Sequence, residues 1–396
     1  MRILYYTWFE NSQEDMVSTL VSLGHEVVKC NIPFKDYEQD EEFTRNLEKI
    51  IKEHSCDSIF SFNFFPLIAR MAERCSVKYI SWVYDCPHWT LYSPGVKAAC
   101  NYIFVFDDIQ FQKLAFLNLP HLFHFPLAVN TTRMERQLGK LQDRSGKTTA
   151  GMSQKGLGYR DDISFVGSLY ENNLYDRINY LPEYLKGYID GIMQAQEKIY
   201  GYNFVSELLT EEIVKQLNQY VAMDLGAGYL AGQNELYGAM INAKITSRER
   251  IHLLDQLSRK YSLTLYTASD MEKISRAKAG GTVDYQREMP QVFRTSKINL
   301  NMTLRSIQSG IPLRALDIMG AGGFLLSNYQ PELAEHFTDG QELAMYGSEE
   351  ELLDKAAYYL IHEKEREEIA YRGFLKVQEQ FSYEVRVRRM LELVNQ

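Results

Sequence analysis

KINLNMTLRSIQSGIPLRALDIMGAGGFLLSN, residues 297–328, sets the reading of the whole chain. Ile298, Leu300 and Met302 alternate with polar residues, the period of a strand with one face on a core. A polar loop follows and ends at Gly310. Pro312 stands where a first helical residue would be, a position that suits its fixed φ and missing N–H. The expected helix runs to about Met319, Gly320 and Gly322 stop it, and GFLLS starts another strand. A strand, a Gly-ended loop and a helix start present unpaired N–H groups and a positive dipole end, the usual setting for a phosphate. Arg305 and Arg314 bracket the loop, and Asp317 lies three residues beyond Arg314. The stretch therefore reads as a nucleotide-diphosphate pocket.

Strands alternating with helices extend from it in both directions. MRILYYTWF, HEVVKCNI, CDSIFSFNFF, VKYISWVYD and YIFVFD read as strands separated by helical segments, the pattern of a parallel α/β sheet of Rossmann type. No G-x-G-x-x-G follows the first strand, so a dinucleotide site in the first half is not expected. Residues 131–162 are polar and poor in large apolar side chains, and read as an interdomain linker or mobile loop. The pattern restarts with ISFVGSLYENN, a strand ending in Gly167-Ser168. A long helical region over 182–244 follows, interrupted near 226–232, then a separate helix over 247–260 and the strand LTLYTA.

Composition narrows the function classes. With 396 residues, two domains are expected. A formal net charge of -9 argues against nucleic-acid binding, which needs a basic surface. Five cysteines, odd in number and without C-x-x-C, read as thiols of a reducing cytosol and not as a disulfide framework or zinc site. Met1-Arg2 leads straight into a short apolar run without a signal-peptide pattern, and no apolar run spans a bilayer. A cytoplasmic location follows as the expectation. No Asp-x-Asp occurs, so a metal-dependent sugar-diphosphate clamp has no support in the sequence, and no cofactor is expected.

At this point a resemblance enters. ISFVGSLYEN at 163–172, INLNMTLRSIQSGIPLRALDIMGAGGFLLSNYQPELAEHFTDGQEL at 298–343 and the tail FSYEVRVRRML resemble group-1 glycosyltransferases of the GT-B fold, and more closely their CgeB-like subgroup. KYISWVYDCPHWTLYS at 78–93 and HFPLAVN at 124–130 are similar to the domain that precedes it there. The resemblance implies two Rossmann-like α/β domains facing across a cleft. Residues 1–130 would form the N-terminal, acceptor-side domain and 163–380 the C-terminal donor-binding domain, with a last helix over 381–396 crossing back to the first. It also implies that Asp317 binds the donor ribose as the second acid of a Glu-x(7)-Glu motif. Ser309 falls on the first position of that motif, where it cannot serve as a carboxylate.

The expected donor-side set is Gly167, Ser168, Arg305, Ser309, Gly310, Arg314 and Asp317, with two guanidiniums to offset the charge of a leaving diphosphate. The plain alternative for Arg314 is an ion pair with Asp317 on a solvated helix face. Asp85 and His88 follow a strand on the edge where open α/β sheets hold ligands, and are the candidate catalytic pair, one as general base or as the orienter of the other. The alternative reading makes Asp85 a turn cap and His88 a packed loop residue. Trp8, Asn63 and Tyr92 are candidate acceptor contacts. The function expected is metal-independent transfer from a nucleotide-diphosphate sugar to an unidentified protein, lipid or polysaccharide acceptor. Two alternatives stand beside it: a hydrolysing nucleotide-sugar epimerase, and a non-catalytic carbohydrate- or nucleotide-binding structural protein.

Overall fold

The computed structural model describes residues 1–139, 158–226 and 228–396. It forms two units, Met1–Ala128 with Asp224–Gly232 and Tyr383–Gln396, and Val129–Met223 with Gln233–Ser382. Each is built on six parallel strands flanked by helices.

In the first unit the strands are β1 (Arg2–Tyr6), β2 (Glu26–Cys30), β3 (Ser58–Phe62), β4 (Lys78–Val83), β5 (Asn101–Val105) and β6 (Leu122–His124). Their order across the sheet is β2-β1-β3-β4-β5-β6. Every residue of β3 is buried, as expected of a parallel strand covered by helices on both faces. The helix Glu41–His54 shows how the covering elements are specified. Asp40 accepts a hydrogen bond from the Phe43 N–H at 2.9 Å, and Phe43, Leu47 and Ile51 line its buried stripe. The last helix of the chain, Tyr383–Asn395, packs against the helix Gln13–Ser22 of this unit and buries Val387, Met390 and Val394. Its Tyr383 ring meets Trp82 edge-on at 6.0 Å.

Residues Asp224–Gly232 also belong to this unit, although the sequence reading assigned them to the second domain. Tyr229 and Ala231 pack on its core, and the Leu230 N–H donates to the Tyr92 carbonyl at 2.9 Å.

The second unit holds β7 (Asp161–Val166), β8 (Leu263–Tyr266), β9 (Lys278–Ala279), β10 (Ser296–Asn301), β11 (Leu325–Asn328) and β12 (Ala344–Tyr346), in the order β12-β11-β10-β7-β8-β9. Of the segment read as a linker, residues Thr131–Leu138 form a helix capped by the Asn130 side chain, and Asp161 already opens β7. Residues 140–157 lie outside the described residues. Between β7 and β8 the chain inserts a helical layer with an apolar core of its own, including Leu185, Ile189, Met193, Leu217, Tyr237 and Ile241. Its longest helix is continuous over Gln233–Lys260, where two helices parting near residue 245 were expected. Ile245, Thr246 and Ser247 are weak helix formers but fully buried, so packing overrides propensity. Thr246 also satisfies its hydroxyl on the Asn242 carbonyl one turn back, at 2.8 Å. Pro312 is the residue before the helix Leu313–Gly320 and not its first: its ψ of 139° is extended.

Both sheets reverse their strand order once. In the first the reversal lies between β1 and β3, in the second between β7 and β10. Crossovers leave such a pair toward opposite faces, which opens a crevice beyond the strand C-termini.

Candidate functional site

At the β7/β10 crevice the strand ends are tied together by one side chain that sequence reading did not single out. Arg250, on the helix Gln233–Lys260, donates from Nη1 to the Ser168 carbonyl at 2.6 Å and from Nη2 to the Met302 carbonyl. Its guanidinium lies over the rings of Phe165 and Tyr170, at 5.4 and 5.1 Å from their centroids. Arg250 is 9% exposed, its Nε has no partner, and among the described residues no carboxylate pairs with it. Nearby Glu249 is committed to Arg305 at 2.7 Å. Burial lowers the Arg250 pKa; Tyr170 and the Glu249 carboxylate act against it, and the charge of Arg314 acts with it. An arginine without its carboxylate, at the crevice of a parallel sheet, is the arrangement an anionic ligand completes. Gly167 permits this approach: a Cβ there would stand 3.3 Å from the Phe165 ring and 3.7 Å from Arg250 Nη1. Ser168 is exposed, and its Oγ accepts from the Tyr170 N–H at 3.0 Å.

Arg305, expected as a phosphate ligand, is spent elsewhere. Its Nε meets Glu249, Nη1 donates to the Ile199 carbonyl at 2.7 Å, Nη2 to the Glu197 carbonyl at 3.2 Å, and the guanidinium lies 4.2 Å from the Tyr200 ring centroid. Burial alone would lower its pKa, but the Glu249 carboxylate outweighs burial and holds it above the ordinary value. Arg305 thus clamps the loop after β10 to the helical layer. The same loop supplies Ser309 and Gly310, both buried. Ser309 Oγ donates to Glu332 Oε1 at 2.8 Å, and the Glu332 N–H donates to the Ser309 carbonyl at 3.1 Å. A buried carboxylate therefore stands within one hydrogen bond of Ser309.

Arg314 and Asp317 do meet, at 3.1 Å, but not on a solvated face. Asp317 is 1% exposed, and its other oxygen accepts from the Tyr285 hydroxyl at 3.0 Å. Arg314 is partly exposed, lies over the Phe293 ring and contacts the Met289 sulfur. Tyr346, at the end of β12, adds a buried hydroxyl with no partner among the described residues. Its proton is held well above the usual tyrosine range by burial, with Glu249 adding to the effect.

In the first unit the β1/β3 crevice gathers three of the expected residues. Trp8 donates from Nε1 to the Phe62 carbonyl at 3.2 Å and stacks on Tyr84. Asn63, in the left-handed region at φ 61°, donates to Asp85 Oδ2 at 2.7 Å while its Oδ1 accepts from the Tyr84 and Asp85 N–H groups. Asp85 is exposed, so Asn63 holds one of its oxygens and leaves the carboxylate facing solvent. His88 is differently placed. Its Nε2 lies 3.0 Å from both the backbone nitrogen and the carbonyl oxygen of Phe64 and 2.7 Å from Thr90 Oγ1, which braces the loop after β3, and burial lowers its pKa. That nitrogen is already engaged with the protein. Tyr92 is buried in the core, 4% exposed, and not on the crevice. Glu10, absent from the expected set, is buried under Trp8 and accepts from Thr7 Oγ1, the Trp8 N–H and the Tyr5 hydroxyl.

Among the described residues no three His, Cys, Asp or Glu side chains gather where they could hold a metal ion. None of the helices is long and apolar enough to cross a membrane, again among the described residues.

Two parallel sheets of Rossmann type, the crevice geometry and the returning C-terminal helix decide the architecture. The fold is GT-B. Solved GT-B structures align over the whole chain. Sucrose-phosphate synthase from Thermosynechococcus elongatus matches at TM-score 0.54 and 9% identity, covering 100% of this chain and 98% of its own. HepE from Anabaena, solved with UDP and glucose, matches at 0.52 and 10%, covering 100% and 99%. A glycosyltransferase from Rickettsia africae matches at 0.51 and 10%, covering 100% and 97%. Residues 248–392 match the sequence profile of the glycosyl transferase-like family, so the chain carries a domain of that type. That stretch includes Arg250, Arg314, Asp317 and Glu332. No curated protein matches the sequence.

Proposed function

We propose that this chain is a nucleotide-sugar-dependent glycosyltransferase that binds its donor diphosphate at the β7/β10 crevice and needs no metal to do so. The observation that carries the reading is Arg250: a buried guanidinium at the strand reversal, paired with no carboxylate among the described residues, within electrostatic reach of Arg314. In the reaction, the bond between the sugar anomeric carbon and the diphosphate oxygen breaks, its electron pair leaving on that oxygen. An acceptor hydroxyl bonds to the anomeric carbon and gives up its proton. Arg250 and Arg314, with the N–H groups opening the helix Leu313–Gly320, offset the charge that builds on the diphosphate. Asp317 orients Arg314 and accepts from a donor ribose hydroxyl. On the acceptor side, Asp85 is the general base, with Asn63 fixing its carboxylate, while His88 positions the loop. The quoted segments at 163–172, 298–343 and 78–93 support membership of the CgeB-like subgroup, and a cytoplasmic location is part of the same reading.

The test is a panel of UDP-, GDP-, dTDP- and CDP-sugars assayed for hydrolysis and for transfer to candidate acceptors, with UDP-glucose first because HepE was solved with UDP and glucose. The expected result is turnover of at least one donor. Calorimetry that detects no nucleoside diphosphate binding to the folded chain would overturn the reading.

A further inference from the structure

The helical layer between β7 and β8 has a surface cavity of its own, lined by none of the residues assigned above. It measures about 480 Å³, within the range of roughly 300–1,000 Å³ typical of small-molecule sites. Its rim carries Tyr180, Tyr220, Asn179, Gln219 and Arg177, and its floor includes Met240 from the apolar core of the layer. The floor is therefore fixed by packing, and the rim faces solvent. Tyr180 and Tyr220 meet edge to face, with centroids 5.8 Å apart and planes at 65°. They are 66% and 41% exposed, and Tyr184, at the start of the helix Glu183–Gln196, is 70% exposed. Large aromatic surface left to water beside a formed cavity marks a contact site more often than a chance exposure.

We propose that this cavity binds a neutral saccharide, as an acceptor-recognition subsite of the transferase. The two rings stand at a steep angle and can contact two sides of one ligand. The axial C–H groups of a pyranose form an apolar face that stacks on the electron-rich face of a tyrosine, leaving the hydroxyls at the ring edge. Those hydroxyls both donate and accept, and the side-chain amides of Asn179 and Gln219 do the same. Among the described residues Arg177 is the single cation on the rim and no acid lines the cavity, so neither a polyphosphate nor a cationic ligand is matched. The polar rim likewise disfavours a lipid chain. The assignment rests on the transferase reading only for the ligand's place in the reaction; the binding itself is independent of turnover.

The experiment uses the full chain, a printed glycan array, and calorimetry with maltohexaose, cellohexaose, chitohexaose and xylohexaose, alongside UDP. Wild type is expected to bind at least one glycan, and Tyr180→Ala and Tyr220→Ala each to weaken it 10-fold or more. Tyr220→Phe should retain binding, because the ring and not the hydroxyl makes the contact. UDP affinity and melting temperature should be unchanged in all three, since both rings lie on the surface. No glycan binding by wild type, binding unaffected in both alanine variants, or displacement of the glycan by UDP overturns the proposal. Glycan binding without nucleotide binding would support this site and sink the transferase reading, and the reverse result would do the opposite.

Discussion

Replacing Arg250 by Met tests the donor site at the atom where its chemistry is concentrated. The guanidinium makes hydrogen bonds to the Ser168 and Met302 carbonyls, and Nε makes none. Losing the partner of the Met302 carbonyl, whose hydrogen bond is buried, costs about 1–3 kcal/mol, and losing that of the part-buried Ser168 carbonyl costs less. Removing a buried cation that has no carboxylate returns several kcal/mol of desolvation. The two effects oppose, so the folded state should lose little stability, and Met restores most of the volume over Phe165 and Tyr170. Ligand binding has no such offset. A charge-assisted hydrogen bond to a phosphate contributes about 1.5–3 kcal/mol, which corresponds to a loss of roughly 10- to 150-fold in affinity. Calorimetry with UDP and with uridine separates the contributions: Arg250→Met should weaken the diphosphate by that factor and leave the nucleoside unchanged. Arg250→Lys should recover part of the loss, because it keeps the charge but not the fork that reaches both carbonyls. If wild type binds UDP and the folded Met variant binds it within twofold as tightly, the assignment of Arg250 is refuted.

Three further outcomes follow from the same geometry. Arg305→Met should destabilise the second unit by about 3–5 kcal/mol, since it strands the buried Glu249 carboxylate, whereas Arg305→Met with Glu249→Leu should recover much of that loss; denaturant titration of these two, of Glu249→Leu alone and of wild type measures the coupling. Asp317→Asn should abolish discrimination between UDP and its 2′,3′-dideoxy analogue, a preference of roughly 10-fold or more in wild type; equal affinity for the two in wild type would rule out a ribose contact. His88 gives a pH dependence: its folded-state pKa is lowered by burial, so its contribution to stability is complete above the ordinary histidine range. That contribution is lost as pH falls from there toward the folded-state value. Melting temperature measured from pH 8 to pH 5 should therefore drop more steeply for wild type than for His88→Asn.

The local patterns of this chain carried much of its architecture. Helix and strand positions are written residue by residue: Pro66–Cys75 begins at its proline, and β10 forms where Ile298 and Leu300 alternate with polar residues, although Asn299 and Asn301 prove buried too. Burial on one face of an element is a local property, so the sequence expresses it directly. The loop after β10 was also legible as a loop, because glycine and proline mark it within a few residues. The continuous helix through Ile245, Thr246 and Ser247 was not, since its stability comes from neighbours distant in sequence.

The division of labour among the arginines needed the tertiary structure. Arg305 and Arg314 lie closer to the loop in sequence than Arg250, and sequence distance was the guide. One signal did exist: Arg250 occupies the same stripe as Leu253, Leu254 and Leu257, and a charge on the buried face of a helix calls for a partner or a ligand. Nothing local reveals that Glu249 would be consumed by Arg305, 56 residues away, or that the next residue would reach both strand ends of the crevice. The sequence alone determined which elements form and which residue types line the loops. Only the tertiary structure decided which arginine is paired with a carboxylate and which is not, because pairing over such distances depends on strand order and helix placement and not on any local pattern.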